Sequence, residues 1–115
     1  LVALGRIHVP IMGDNDKAIK TLEENAVNCG EKVWRLPLDN DYAKLIKTPN
    51  ADIKNTGNGE AGCICAGSFL HHFAGGTPFM HCDISPAAWQ MASHDLGPVG
   101  ATGVLVHSLS EFMRV

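Results

Sequence analysis

The stretch Gly30 to Leu38, Gly-Glu-Lys-Val-Trp-Arg-Leu-Pro-Leu, limits the folds open to this chain more than any other. It is too apolar for a loop and too irregular for a helix. Pro37 disfavours helical backbone at Leu36, so Trp34 to Leu38 is expected to be extended. Just upstream, Ile19, Leu22, Ala26 and Cys29 fall on one face at helical spacing, with Lys20, Glu23 and Glu24 opposite. This spacing predicts an amphipathic helix over residues 16–29, with Gly30 as its stop. Gly13-Asp14-Asn15-Asp16 supplies a turn and an N-cap. Earlier still, Ile7, Val9 and Ile11 alternate with Arg6, His8 and Pro10, a period of two that reads as a strand. Pro10 is expected at a sheet edge or near the strand's end, since it has no N–H to donate.

The remaining segments continue the alternation. Leu1 to Gly5 reads as the end of an apolar helix or strand, stopped by Gly5. Asp39-Asn40-Asp41 can cap a short helix holding Tyr42, Leu45 and Ile46, which ends before Pro49. Ala51 to Asn55 reads as a short strand and Thr56 to Gly59 as a loop. Glu60 to Phe73 is the second main helix, with Ala61, Gly62, Cys63, Cys65, Ala66 and Gly67 giving it a small-residue side. Glycine inside a helix costs about 1 kcal/mol relative to alanine, so two of them imply close packing. Phe79 to Ile84 is expected to be a buried strand ended by Ser85-Pro86, and Ala87 to Met91 one turn of helix. Ser93 to Gly100 reads as a loop. Thr102 is expected to cap a last helix with the apolar stripe Leu105, Leu109, Phe112 and Met113. Helices alternating with short strands indicate an α/β fold.

At 115 residues this is one domain or part of one, with no internal boundary. The net charge of −3, without a basic cluster, argues against nucleic acid as a partner. No apolar run approaches the ~20 residues of a membrane span. Cys29, Cys63, Cys65 and Cys82 lie among apolar or small residues, which reads as a reducing compartment, the cytosol, rather than a disulfide framework. The opening Leu-Val-Ala-Leu-Gly has no charged leader. It starts inside an apolar pattern, so the true N-terminus is expected elsewhere.

Candidate sites are few. His81-Cys82-Asp83 offers three possible metal ligands, but on a strand only His81 and Asp83 share a face. Two ligands do not make a zinc site, and a His–Asp pair satisfied within the core is the preferred reading. Cys63-x-Cys65 diverges by ~200° on a helix and reads as packing. His71-His72 can meet the carbonyls of a helix end. The run from Asn55 to Glu60 lacks the lysine of a phosphate loop and the acidic spacing of a calcium loop, and reads as a turn with Glu60 favourable to the next helix dipole. Arg35 beside Trp34 reads as an ion-pair or stacking residue.

Taken in order, several segments resemble the C-terminal quarter of the leucine aminopeptidase family. Gly30-Glu31-x-x-Trp34-x-Leu36-Pro37-Leu38 with Tyr42 is similar to the family's pattern. So are Ala51-Asp52 with Asn55, Gly62 and Phe69-Leu70-x-x-Phe73, then His81-x-Asp83-Ile84, then Gly100-Ala101-Thr102-Gly103. The resemblance implies part of a catalytic domain whose central mixed β-sheet lies between helices, assembled as a homo-oligomer, a hexamer. It implies removal of N-terminal amino acids from peptides by two divalent metal ions, zinc or manganese. The family's metal ligands lie in a segment before residue 1, so no metal or catalytic residue carries over to this chain, and the missing N-terminal part is itself an expected partner. What carries over is the substrate pocket wall, at Ser85 and Ala88. Ser85-Pro86 stands where the family has Ala-Gly, and Phe79-Met80 where it has Trp-Ala. A catalytically inactive, family-derived structural subunit is the alternative that these departures suggest.

Overall fold

A computed structural model of the chain describes residues 1–95 and 97–114. Among the described residues nine elements follow in order: β1 (Val9–Gly13), α1 (Asp16–Asn28), β2 (Val33–Arg35), α2 (Asn40–Lys44), α3 (Gly62–His72), β3 (Met80–Cys82), β4 (Trp89–Gln90), β5 (Gly100–Ala101) and α4 (Val106–Met113). The fold is α/β, with a mixed sheet flanked by helices. β1 lies in the middle of a three-stranded sheet, parallel to β2 and antiparallel to β3. β4 and β5 form a separate antiparallel ribbon.

Every residue of β1 is buried. The period of two explains how. Val9 and Ile11 enter a core with Ile19 and Leu22 of α1 and with Leu105, while Val104, Leu109 and Phe112 pack around it. Met12 points to the other face, where a Cβ added at Gly67 of α3 would lie 2.5 Å from its sulfur. Gly67 therefore lets α3 lie against the sheet, the close packing expected there, whereas Gly62 at the start of α3 has open space around it. Helices on both faces make β1 a fully buried strand.

Pro10 consequently stands in the central strand and not at a sheet edge, but it is the second residue of β1 and so near the strand's end. Its carbonyl accepts the Asp83 N–H at 3.0 Å. In an antiparallel hydrogen-bonded pair the return bond would come from the residue 10 N–H, which proline lacks. The missing donor coincides with the end of β3 at Cys82, so the ladder stops where proline cannot extend it.

α1 follows expectation. Asn15 Oδ1 accepts the Ala18 N–H at 2.9 Å, and Gly30 (φ +72°) lies in the left-handed region past the helix end. α2 is capped by Asp39, which accepts the Asp41 N–H. Gly5 donates to the Leu1 carbonyl, closing one turn. Four expectations are corrected. Residues 51–55 form no strand: Lys54 N–H reaches the Ile46 carbonyl, a single bond to a helix end. The segment around β3 is half-buried, not buried. The helical turn expected over Ala87–Met91 comes earlier, with the Ala87 and Ala88 N–H groups both on the Ile84 carbonyl, and Trp89 is already in β4. Thr102 does not cap α4. That helix starts after Leu105 (φ +67°) and has no side-chain cap of its own.

Candidate functional site

The cap of α4 comes from far away in sequence. The Glu31 carboxylate, on the turn between α1 and β2, accepts the Leu105 N–H at 2.6 Å and the Ser108 N–H at 3.1 Å, together with the Ser108 hydroxyl. Leu105 and Ser108 are fully buried. An acidic group at a helix N-terminus meets unpaired donors and the positive end of the dipole. Sequence reasoning missed this, although Glu31 lies inside the stretch that most constrains the fold.

Beyond β3 the chain makes a turn, then the β4–β5 ribbon. Asp83 accepts from the Ser85 N–H at 3.1 Å and from the Ser85 hydroxyl at 2.6 Å. Burial opposes ionisation of Asp83, but these bonds, the Cys63 thiol and nearby His81 outweigh it and hold the carboxyl below its ordinary value. In return, burial and then Asp83 push the Cys63 thiol up to about 12. The Cys82 thiol is raised by burial alone. Thus Asp83 is satisfied by the nearby Ser85 backbone N–H and hydroxyl rather than by His81, and it is half-buried rather than in the core.

Ser85 is exposed and Ala88 half-buried, and they sit on the same turn. The hydroxyl that Ser85 brings is already spent on Asp83. Pro86 between them is fully buried and pins the turn to the body of the protein. Ala88 is held at both backbone groups, its N–H on the Ile84 carbonyl and its C=O on the Thr102 N–H.

The other sequence candidates settle as structural residues. His71 Nε2 lies 2.8 Å from Asp14 Oδ2 instead of on a helix-end carbonyl. Asp14 also accepts the Phe79 N–H at 2.8 Å. The Phe79 N–H and then His71 lower the Asp14 pKa. Arg35 forms an ion pair with Asp16 at the surface, and Trp34 meets His8 edge to face at 5.9 Å. Cys65 is buried with its sulfur 3.6 Å from the Glu60 carbonyl. Glu60 precedes Ala61, the N-cap of α3.

Clefts border these elements. One of about 420 Å³ is lined by Glu31, Lys32, Ala87, Gln90, Thr102 and Val104 among others. A more apolar one of about 600 Å³ is lined by Leu1, Val2, Leu4, Pro10, Leu36 and Ile64 among others. Among the described residues no group of three or more His, Cys, Asp or Glu side chains is arranged to hold a metal ion. His81, Cys82 and Asp83 do not converge, so these residues do not fit a metal centre. Among the described residues no helix is long and apolar enough to cross a membrane.

Residues 1–110 match the family model described as the cytosol aminopeptidase family, catalytic domain. A probable cytosol aminopeptidase of Koribacter versatilis is 41% identical over 114 residues, covering 99% of this chain and 22% of that protein. One from Desulfotalea psychrophila is 39% identical over 114 residues, covering 99% of this chain and 23% of that protein. A mutant of tomato leucine aminopeptidase superposes with a TM-score of 0.87 at 32% identity, over 96% of this chain and 21% of that one. The chain thus spans less than a quarter of the length of the curated relatives it matches. In fold and in sequence, this chain belongs to the cytosol aminopeptidase family and corresponds to part of its catalytic domain.

Proposed function

We propose that these residues are the C-terminal part of a two-metal aminopeptidase that removes N-terminal amino acids from peptides in the cytosol. The family match over residues 1–110 carries the reading. Its shape supports incompleteness. The radius of gyration is 15.3 Å in a slab 18 Å thick, against about 13 Å for a self-contained domain near this length. Large apolar side chains such as Val2, Ile7, Trp34, Phe73 and Trp89 are more than half exposed. The zinc or manganese ions and their ligands belong to the remainder of a longer protein, and no step through them is assigned to residues here.

The part played by this chain is to complete the sheet, to wall the pocket for the substrate's first side chain with Ser85 and Ala88, and to form the core of a homo-oligomer, a hexamer. The test is Ala88→Trp in the full-length protein. The KM for leucyl substrates should rise about tenfold or more, given how strongly pocket volume discriminates side chains, while bound metal measured by elemental analysis stays constant. Unchanged leucyl kinetics would remove Ala88 from the pocket. A second reading, an inactive structural subunit, is favoured by Ser85-Pro86, where the buried Pro86 replaces a flexible glycine of the family pattern. It predicts that the metal-loaded full-length protein assembles and hydrolyses no aminoacyl substrate.

A further inference from the structure

Thr102 makes a two-point clamp on the segment that carries Ala88. Its hydroxyl donates to the Ala87 carbonyl at 2.7 Å, and its N–H donates to the next carbonyl, that of Ala88, at 3.0 Å. The hydroxyl oxygen also accepts the Val104 N–H at 3.2 Å, which fixes its rotamer. Two glycines with positive φ, Gly100 (+134°) and Gly103 (+65°), bracket Thr102. Downstream, the pairs Trp89–Ala101 and Gln90–Gly100 continue the same contact. The chain around Ala88 is thus held before it by buried Pro86, after it by β4, and directly by Thr102. Successive peptide planes cannot rotate while both carbonyls are bonded, so the direction of the Ala88 Cβ is set by a residue fourteen positions later.

We propose that Thr102 is a positioning residue for side-chain specificity, acting through the Ala87–Ala88 backbone and not by touching substrate. The proposal rests on the reading of Ala88 as pocket wall. Of the two hydroxyl bonds that Thr102→Val removes, the one to the Ala87 carbonyl bears on the wall, and its loss is worth about a fivefold change in binding. A wall that shifts affects a large side chain more than a small one.

The test compares Thr102→Val and Thr102→Ser in the metal-loaded full-length protein, using leucyl and alanyl p-nitroanilides. Thr102→Val should raise KM for the leucyl substrate about fivefold with kcat within twofold, and leave alanyl KM within twofold. Thr102→Ser should restore the native values, because it keeps the hydroxyl. Hydrogen exchange at the Ala88 amide, which is bonded to the Ile84 carbonyl, should quicken in Thr102→Val, a readout independent of turnover. Equal losses on both substrates, or no loss on either, would overturn the clamp. So would unchanged exchange should Thr102→Val prove inactive or Thr102→Ser fail to rescue. Ala88→Trp in parallel separates the two readings. If it leaves leucyl KM unchanged, the pocket assignment fails. If it raises KM and Thr102→Val does not, only the clamp fails.

Discussion

Replacing Glu31 by alanine tests whether a helix can depend on a cap supplied 74 residues away. The carboxylate receives the Leu105 and Ser108 N–H groups and the Ser108 hydroxyl, and both residues are fully buried. A buried donor left without a partner costs about 1–3 kcal/mol. Glu31 borders an open cleft, so water can reach part of the vacated space, and the low end of that range applies to each of the two amides. Loss of a negative charge at the start of α4 adds about 0.3–1 kcal/mol. The sum is about 3 kcal/mol. α4 has eight residues and cannot persist without tertiary support, so the loss should appear first as local opening. Hydrogen exchange at the amides of residues 108–113 in the full-length protein is the assay. Glu31→Ala should accelerate it about 100-fold. Glu31→Gln keeps one acceptor oxygen and should fall between, near tenfold. Acceleration of less than threefold in Glu31→Ala would refute the reasoning.

Three further outcomes follow from local geometry. A Cβ at Gly13 would lie 2.3 Å from the Phe79 carbonyl oxygen, so Gly13→Ala must part β1 from β3 and should cost about 3 kcal/mol. Gly67→Ala meets the flexible Met12 side chain instead and should cost less, and an unfolding midpoint lower for Gly67→Ala than for Gly13→Ala would contradict this. Asp14 has its pKa lowered from 3.8 by the Phe79 N–H and then by His71. The unfolded chain therefore binds this proton more tightly than the folded one. The contribution of Asp14 is present above pH 3.8 and lost as pH falls through the lowered value. The stability gap between the native protein and Asp14→Asn should accordingly shrink as pH falls below 3.8; a gap that widens there would be inconsistent. The Cys63 thiol, pushed up to about 12 by burial and by Asp83, should resist alkylation at pH 8, and Asp83→Asn should speed its labelling about tenfold without changing that of Cys82. Peptide mass mapping after timed iodoacetamide exposure reads both sites.

Local signals in the sequence identified what local physics decides. Asn15, Ile19, Leu22, Ala26 and Gly30 mark α1 because capping, periodicity and a left-handed stop act within a few residues. The same holds for Asp39 before α2 and for the small-residue side of α3 against Met12. What the sequence concealed depends on partners far along the chain. Pro10 reads as an edge or strand-end residue because its missing N–H is costly in most ladders; it sits second in β1, near that strand's end but in the middle of the sheet. It is tolerated in a central strand because β3 ends opposite it. Residues 51–55, Ala-Asp-Ile-Lys-Asn, carry only Ile53 as a strand-favouring residue and have no strand beside them. Thr102 has the chemistry of a cap, but the Ala87 and Ala88 carbonyls take its donors while Glu31 serves the helix. The ribbon β4–β5 has two residues per strand, too short for any period to register. The family was legible from ordered motifs, whereas the reasons for those motifs were not.

Those reasons are visible in the stretch from Gly30 to Leu38. Gly30 ends α1 in the left-handed region. Glu31 caps α4, and the Lys32 carbonyl accepts the Val9 N–H at 2.9 Å. Val33 to Arg35 form β2, Arg35 reaches back to Asp16 at the start of α1, and the Leu36 N–H bonds the Ile11 carbonyl. Consecutive residues thus fasten two helices and two strands together. Their task is to join elements, and none of these bonds calls for catalytic chemistry. Through Glu31 the same stretch holds Leu105, three residues beyond Thr102, whose own bonds fix the backbone of Ala87 and Ala88. A disturbance at Glu31 therefore has a short covalent route to the proposed pocket wall. Glu31→Gln should then lower selectivity for leucyl over alanyl substrates in the same direction as Thr102→Val and by a smaller factor, since Thr102 keeps its own bonds.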